Sequence, residues 1–145
     1  MKSKEKHQTQ GFTLIEILVV IIIIGLLAAL VGPRLFGKVG TARQKAAKAQ
    51  IELFGTALDT FRLDIGRYPT TEEGLKALRE KPPGADNWQG PYLPKELPVD
   101  PWGRAYVYKS PGEHSDYDLI SYGLDGAEGG DGENLDIVSW KDAGR

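Results

Sequence analysis

The sequence predicts an α+β fold in which a long N-terminal helix packs on a small C-terminal antiparallel β-sheet. Two observations predict it. An uninterrupted apolar run passes directly into a helical pattern, and three short segments rich in β-branched and aromatic residues follow in the C-terminal third. With 145 residues, the chain has room for one small domain beyond the apolar run.

Composition excludes several functional classes. The formal net charge is −2, whereas a nucleic-acid-binding domain would be expected to carry a basic patch. There is no cysteine, so disulfides cannot stabilise the fold. The sequence also lacks a glycine-rich phosphate loop and any cluster of cysteine and histidine. We therefore expect neither an enzyme active site nor a nucleic-acid partner.

The apolar run predicts a membrane-spanning helix over residues 12–33. Residues 17–32 carry no charged or strongly hydrogen-bonding side chain, and a helix of that length covers about 24 Å. The preceding leader, residues 1–11, contains three lysines. An ordinary secretory signal would end in a small-residue cleavage motif, but this run continues into a helical pattern. We therefore expect processing before the run, after Gly11.

Glu16 interrupts the apolar segment. A charged side chain at the centre of a membrane helix costs about 2.5–3.5 kcal/mol, less near the interface, so this carboxylate calls for a partner. A cut after Gly11 would create an α-amino group on Phe12, four residues away on the same helix face. That amine could also meet Glu16 of a neighbouring subunit. Alternatively, Glu16 snorkels and only marks the membrane boundary.

Residues 34–66 continue the helix as an amphipathic segment. Its apolar stripe has helical spacing and predicts a buried face; the stripe comprises Ile51, Phe54, Leu58, Phe61 and Ile65. We favour a helix packed on a sheet over a coiled-coil seam, which would need more heptads. Gly66 is positioned to end the helix. The glycines around Pro33 either allow a bend or are simply tolerated, as is common in membrane helices.

For the remaining residues, 67–145, the sequence predicts a head built from a short helix, loops and short strands. Thr70 and Glu73 have capping-box spacing and predict a short second helix, followed by a proline-punctuated loop anchored by aromatic residues. Strands are predicted at residues 105–108, 117–121 and 137–140. The first two would form a hairpin, and the third would join the same sheet.

The loop over residues 122–136 contains five glycines and five acidic residues. Calcium takes about 6–8 oxygen ligands from carboxylates and carbonyls, and glycines let carbonyls turn inward. The twelve-residue EF-hand spacing is absent. From the residues alone, a calcium site and a solvated acidic loop both remain open.

The N-terminus resembles that of the type IV filament family of pilins and pseudopilins. The resemblance rests on the lysine-bearing leader, Gly11, the segment Phe12-Thr13-Leu14-Ile15-Glu16, the apolar run and Pro33. It implies that a prepilin peptidase cuts between Gly11 and Phe12, that the Phe12 amine is methylated, and that Glu16 docks subunits during assembly.

The rest of the chain is similar to the major pseudopilins of type II secretion systems. The motifs are Arg67-Tyr68-Pro69-Thr70-Thr71-Glu72, Gly74-Leu75, Asp100-Pro101-Trp102-Gly103 and Ser110-Pro111-Gly112. This similarity implies a homopolymer in the periplasm that works with minor pseudopilins, an inner-membrane assembly platform, a secretion ATPase and an outer-membrane secretin. Two alternatives are a type IV pilin, which usually carries a C-terminal disulfide, and a membrane-tethered calcium-dependent binding or hydrolytic domain.

The same resemblance implies one structural calcium ion in the loop 122–136. Asp125 and Asp136 match the family pattern directly, although Leu135 stands where many relatives carry an acidic or small residue. A further side-chain ligand is expected from Asp131, Glu133 or Asn134. The residues predicted to contribute to the site are Asp125, Asp136, Tyr122, Ala127, Asp131 and Asn134.

Overall fold

The computed structural model describes residues 11–141. The predicted leader therefore lies outside the described residues, except for Gly11. The first element is the helix α1, Leu14–Ile65, which has 52 residues and contains Pro33. The chain divides into two compact units, one ending at Lys38 and the other beginning at Val39.

In the N-terminal unit, α1 is apolar all round and unburied. Its large apolar side chains from Phe12 to Val31 are between 47% and 89% exposed. Within the described part of the chain, α1 is the one helix long and apolar enough to span a membrane, judged by length and composition. A helix that is apolar on every side needs a lipid or protein environment, since water would leave this surface unfavourably hydrated.

In the second unit, α1 supplies the core. The predicted stripe is confirmed, because Ile51, Phe54, Leu58 and Phe61 are at most 3% exposed, while Ile65 packs against the same cluster from a partly buried position. The helix ends as predicted at Gly66, whose φ of 87° is a left-handed conformation that glycine adopts without strain.

The predicted capping box is present, but it closes a turn over residues 71–74, and the short helix that follows is a 3₁₀ helix, Leu75–Leu78, whose own N-cap, Gly74, makes no side-chain cap hydrogen bond. The N–H of Glu73 donates to Thr70 Oγ1 at 3.2 Å, and the N–H of Thr70 donates to Glu73 Oε2 at 2.8 Å. Gly74 follows with φ 60°, which lies outside the helical region and prevents an α-helix from continuing through it. The aromatic anchors of the following loop are Trp88, which donates to Ala77 O, and Tyr92, which donates to Asp64.

The described residues form one three-stranded antiparallel sheet, with β1 at Val107–Lys109, β2 at Asp118–Ser121 and β3 at Ile137–Val138. β2 is the central strand and pairs with both neighbours. The strands are shorter than the sequence predicts. After Val138, backbone pairing with β2 continues only through Ser139, whose N–H donates to Leu119 O while its hydroxyl accepts from Leu119 N–H.

Candidate functional site

Both predicted assembly residues lie at the start of α1, with Phe12 two residues before the first helical residue, Leu14. Phe12 is 80% exposed, and Glu16 lies in the first turn. Thr13 caps the helix, because its Oγ1 accepts the N–H of Glu16 at 3.3 Å. A carboxylate in the first turn also interacts favourably with the helix dipole. This role of Glu16 at the helix start was not predicted from the sequence, although Thr13 and Glu16 have the spacing of a capping box.

Among the described residues, no contact requires glycine at position 11. A Cβ at this position would meet nothing within 4 Å, and the φ of Gly11 is not in the left-handed region.

Two of the three aspartates of the acidic loop, Asp125 and Asp136, accept hydrogen bonds from backbone N–H groups. Asp136 Oδ2 accepts the N–H of Gly129 at 2.8 Å, and Asp125 Oδ1 accepts the N–H of Ala127 at 3.1 Å. The carbonyl of Tyr122 accepts the N–H of Gly126 at 3.2 Å. Asp136 Oδ1 is buried and has no hydrogen-bond partner among the described residues. A buried carboxylate oxygen left in this way is a candidate ligand for a cation.

The other candidate ligands differ in what they contact: Asp131 and Asn134 hydrogen-bond to each other within the loop, whereas the Glu133 side chain contacts α1. The carbonyl of Asp131 accepts the N–H of Asn134 at 3.0 Å, across the 3₁₀ turn Gly132–Asn134. The Glu133 side chain lies against Gly40 of α1. Within residues 11–141, no three Asp, Glu, His or Cys side chains gather closely enough to hold a metal ion.

Arg104 supports the loop from outside. Its Nη1 donates to Gly123 O at 2.8 Å and to Leu124 O at 2.9 Å. Gly126 packs on the same side chain, since a Cβ there would lie 2.7 Å from Arg104 Nε. Arg104 could not be predicted from the sequence, because its partners are main-chain carbonyls and these occur at every residue type.

The base of the loop is fixed by Asp100, which is 3% exposed. Its Oδ1 accepts the N–H groups of Trp102 and Arg104 at 3.0 and 2.8 Å, and its Oδ2 accepts the Ser121 hydroxyl at 2.7 Å. Ser121 is the last residue of β2, directly before the loop. Burial raises the pKa of the neighbouring Tyr106, and the negative charge of Asp100 raises it further.

His114, in the turn between β1 and β2, contacts Trp140, which lies two residues after the end of β3. Its ring stacks on Trp140 with centroids 3.9 Å apart, and its Nδ1 lies 3.0 Å from Asp118 Oδ2. Burial alone would raise the pKa of Asp118. Hydrogen bonds from His114 and from the N–H groups of Glu113 and His114 outweigh it, so the pKa lies below its ordinary value.

Two family matches agree with this geometry. Residues 6–32 match the family described as the prokaryotic N-terminal methylation motif, which sets the class of protein to which the exposed apolar helix belongs. Residues 34–140 match the family described as type II secretion system (T2SS), protein G. The chain therefore belongs to the protein G family of type II secretion, whose members are structural pseudopilin subunits and not enzymes.

Individual relatives carry the same description over nearly their whole length. The type II secretion system core protein G of Pseudomonas aeruginosa is 45% identical over 139 residues, covering 94% of this chain and 98% of the relative. That of Escherichia coli K12 is 46% identical over 143 residues, covering 97% and 95%.

A solved structure supports the fold. The crystal structure of the major pseudopilin from the type 2 secretion system of enterohaemorrhagic E. coli matches with a TM-score of 0.64 at 38% identity, covering 74% of this chain and 95% of that one. The predicted α+β fold and the resemblance to major pseudopilins are confirmed.

Proposed function

We propose that this chain is the repeating subunit of a periplasmic pseudopilus that drives folded proteins across the outer membrane. The observation that carries the proposal is the exposed apolar surface of α1 from Phe12 to Val31. A surface of this size must be covered by lipid before assembly and by other subunits after it. Family membership favours a pseudopilin over a type IV pilin or a tethered binding domain.

The subunit would be stored as a single-pass protein of the inner membrane with its head in the periplasm. The lysines of the leader place the N-terminus in the cytoplasm by the positive-inside bias. Polymerisation would then involve a prepilin peptidase, the inner-membrane assembly platform with its ATPase, the minor pseudopilins and an outer-membrane secretin.

Processing tests this function. A peptidase that cuts after Gly11 would explain why a residue with open space around it is glycine. We expect the mature chain to begin at N-methylated Phe12, and Gly11→Leu to block both cleavage and secretion, whereas Gln10→Ala should leave them intact. Mass spectrometry of the purified N-terminus measures this. An active secretion system whose mature subunit still carries residues 1–11 would contradict the proposal.

We propose further that the loop 122–136 holds one structural calcium ion. The supporting observations are the buried Oδ1 of Asp136, which has no hydrogen-bond partner among the described residues, and the presence of Asp125 in the same glycine-rich loop. The carbonyls of Tyr122 and Ala127, with Asp131 or Asn134, would complete the oxygen ligands. Glu133 is disfavoured as a ligand because its side chain lies against α1. The ion would supply positive charge to a segment rich in carboxylates; two like charges brought within about 4 Å repel by about 4 kcal/mol at an effective dielectric near 20.

Removing the ion should destabilise the head. Since the unfolded loop has no preformed site, the free energy of calcium binding adds to folding, by about 2.7 kcal/mol at one hundred times the Kd. We expect a chelator to lower the Tm, calcium to restore it better than magnesium, and Asp125→Ala and Asp136→Ala each to mimic the chelator. Asp86→Ala, outside the loop, is the control. Equal melting curves with calcium and with chelator would leave a solvated acidic loop.

A further inference from the structure

The acidic loop is docked on one face of α1 by three residues at spacing i, i+4 and i+8, which places them in line. Gly40, the first, is buried. A Cβ at this position would lie 2.7 Å from Glu133 Cδ and closer still to two other atoms of that side chain. A Cβ here would therefore push the Glu133 side chain away from α1, whereas glycine, although one of the poorest helix formers, leaves room for it.

The other two residues donate hydrogen bonds to main-chain carbonyls. Gln44 Nε2 donates to Gly132 O. Lys48 Nζ donates to Val138 O at 3.0 Å and to Lys141 O, at the end of β3, and Lys48 is only 8% exposed. We call Gly40, Gln44 and Lys48 the docking seam. It holds the second half of the loop and the strand that follows.

We propose that the docking seam couples cation binding in the loop to the order of the helix segment 39–48. The inference rests on the proposed calcium site. Gly132 and Glu133, which contact the seam, lie between Asp131 and Asn134, two residues proposed for the cation. A loop that closes on a cation would therefore fix the positions of Gly132 and Glu133. In the structure, these two residues are positioned to contact Gln44 and Gly40 of the docking seam.

The coupling is reciprocal. If cation binding stabilises docking, docking must strengthen cation binding by the same factor. The helix depends on these contacts here, since Gly40 costs about 1 kcal/mol relative to alanine in a helix interior. Farther along, the segment 51–61 is held independently by the hydrophobic core. Loss of the cation should therefore loosen residues 39–48 and spare residues 51–61.

The test uses the full chain in detergent micelles, with calcium itself as the probe. Calorimetric titration gives the calcium Kd, and hydrogen exchange with and without chelator reports protection of residues 39–48. Gly40→Ala raises intrinsic helix propensity but collides with Glu133. Gly37→Ala is the matched control, because a Cβ there meets nothing within 4 Å. Gln44→Leu removes a seam hydrogen bond without adding bulk at Gly40.

In the wild-type chain, we expect calcium to slow exchange at residues 39–48 and not at 51–61. We expect Gly40→Ala to weaken calcium binding about tenfold and to abolish the calcium dependence of that exchange, within the usual range of coupling factors. Gln44→Leu should shift both measurements in the same direction, and Gly37→Ala should match the wild type. If Gly40→Ala fails to fold by circular dichroism, Gln44→Leu decides by the same criteria.

Two different failures can be told apart. Calcium binding by the wild type with unchanged affinity and protection in the seam variants would overturn the coupling and leave the cation site standing. A wild-type chain that does not bind calcium would overturn both.

Discussion

The buried carboxylate of Asp100 accounts for the motif Asp100-Pro101-Trp102-Gly103. Three donors converge on it, two backbone N–H groups of the turn and the Ser121 hydroxyl at the end of β2. One side chain thus closes the turn before β1 and fixes the point at which the acidic loop begins. Such a group is costly to remove because three donors, among them the buried hydroxyl of Ser121, would lose their acceptor.

We expect Asp100→Ala to lower the free energy of unfolding by about 2–4 kcal/mol, since the buried Ser121 hydroxyl and two partly buried backbone N–H groups lose their acceptor. Denaturant unfolding followed by tryptophan fluorescence measures this. Asp86→Ala, at an exposed carboxylate, is the matched control and should stay within about 0.5 kcal/mol of the wild type. Equal effects at the two positions would show that the hydrogen bonds of Asp100 contribute nothing net.

Glu73 gives a prediction for pH. Its ion pair with Arg67, with two N–H···O contacts at 2.7 and 2.8 Å, holds the pKa of Glu73 below its ordinary value of 4.5. A lowered folded pKa contributes stability that is present above the ordinary value and is lost as the pH falls through it. The Arg67 side chain is 43% exposed, so the contribution should be below about 1 kcal/mol.

We therefore expect wild-type stability to fall more steeply than that of Glu73→Gln between about pH 5 and about pH 3. Unfolding free energies measured across this range check it, with Glu72→Gln, at an exposed neighbour, as the control. Parallel curves for wild type and Glu73→Gln would contradict a lowered pKa at this residue.

At the scale of elements, α1 is predictable because its signal is local. The repeat of the stripe from Ile51 to Ile65 and the glycine that follows both act within a few residues, and both appear in the structure. Strand ends are set by cross-strand partners distant in sequence, so β3 came out as only two residues. The docking seam and Arg104 were missed for a related reason, since a carbonyl partner can belong to any residue type.

The two faces of α1 in the head allow a matched test. Leu58 is fully buried and Leu63 is 84% exposed. We expect Leu58→Ala to destabilise by about 2–5 kcal/mol, the range for a leucine deleted from a core, and Leu63→Ala by under about 0.5 kcal/mol. Denaturant unfolding of the chain in detergent measures both. Similar losses would show that the helix is not anchored to the head by this stripe.

At the scale of the whole molecule, a helix with exposed apolar side chains precedes, in the chain, a head that has its own hydrophobic core. The head unit buries its aromatic and aliphatic side chains around Phe54 and Phe61, whereas the large apolar side chains from Leu14 to Val31 are all exposed. The head therefore has its own hydrophobic core, whereas the apolar side chains of the N-terminal helix remain available for contact with lipid or other subunits. Whether Glu16 takes part in that assembly was not decidable from sequence, because its partner would lie on another subunit.

Three roles for Glu16 make different predictions. If its carboxylate pairs with the Phe12 amine of a neighbouring subunit, both Glu16→Leu and Glu16→Gln should insert in the membrane, be processed at Gly11, and fail to enter filaments. If it only supports the helix start beside Thr13, Glu16→Gln should assemble, since glutamine also serves in a capping box. If it merely marks the membrane boundary, even Glu16→Leu should assemble normally.

We expect the first outcome, because an unpaired carboxylate in a helix of this hydrophobicity is unfavourable and a charged partner removes the cost. Glu52→Gln, at an exposed glutamate of the head helix, is the control and should assemble as the wild type does. The amount of sheared filament per processed subunit, together with secretion of a folded reporter, measures the effect. Wild-type filament levels from Glu16→Gln would show that the charge itself is dispensable, and thereby exclude pairing with the neighbouring amine.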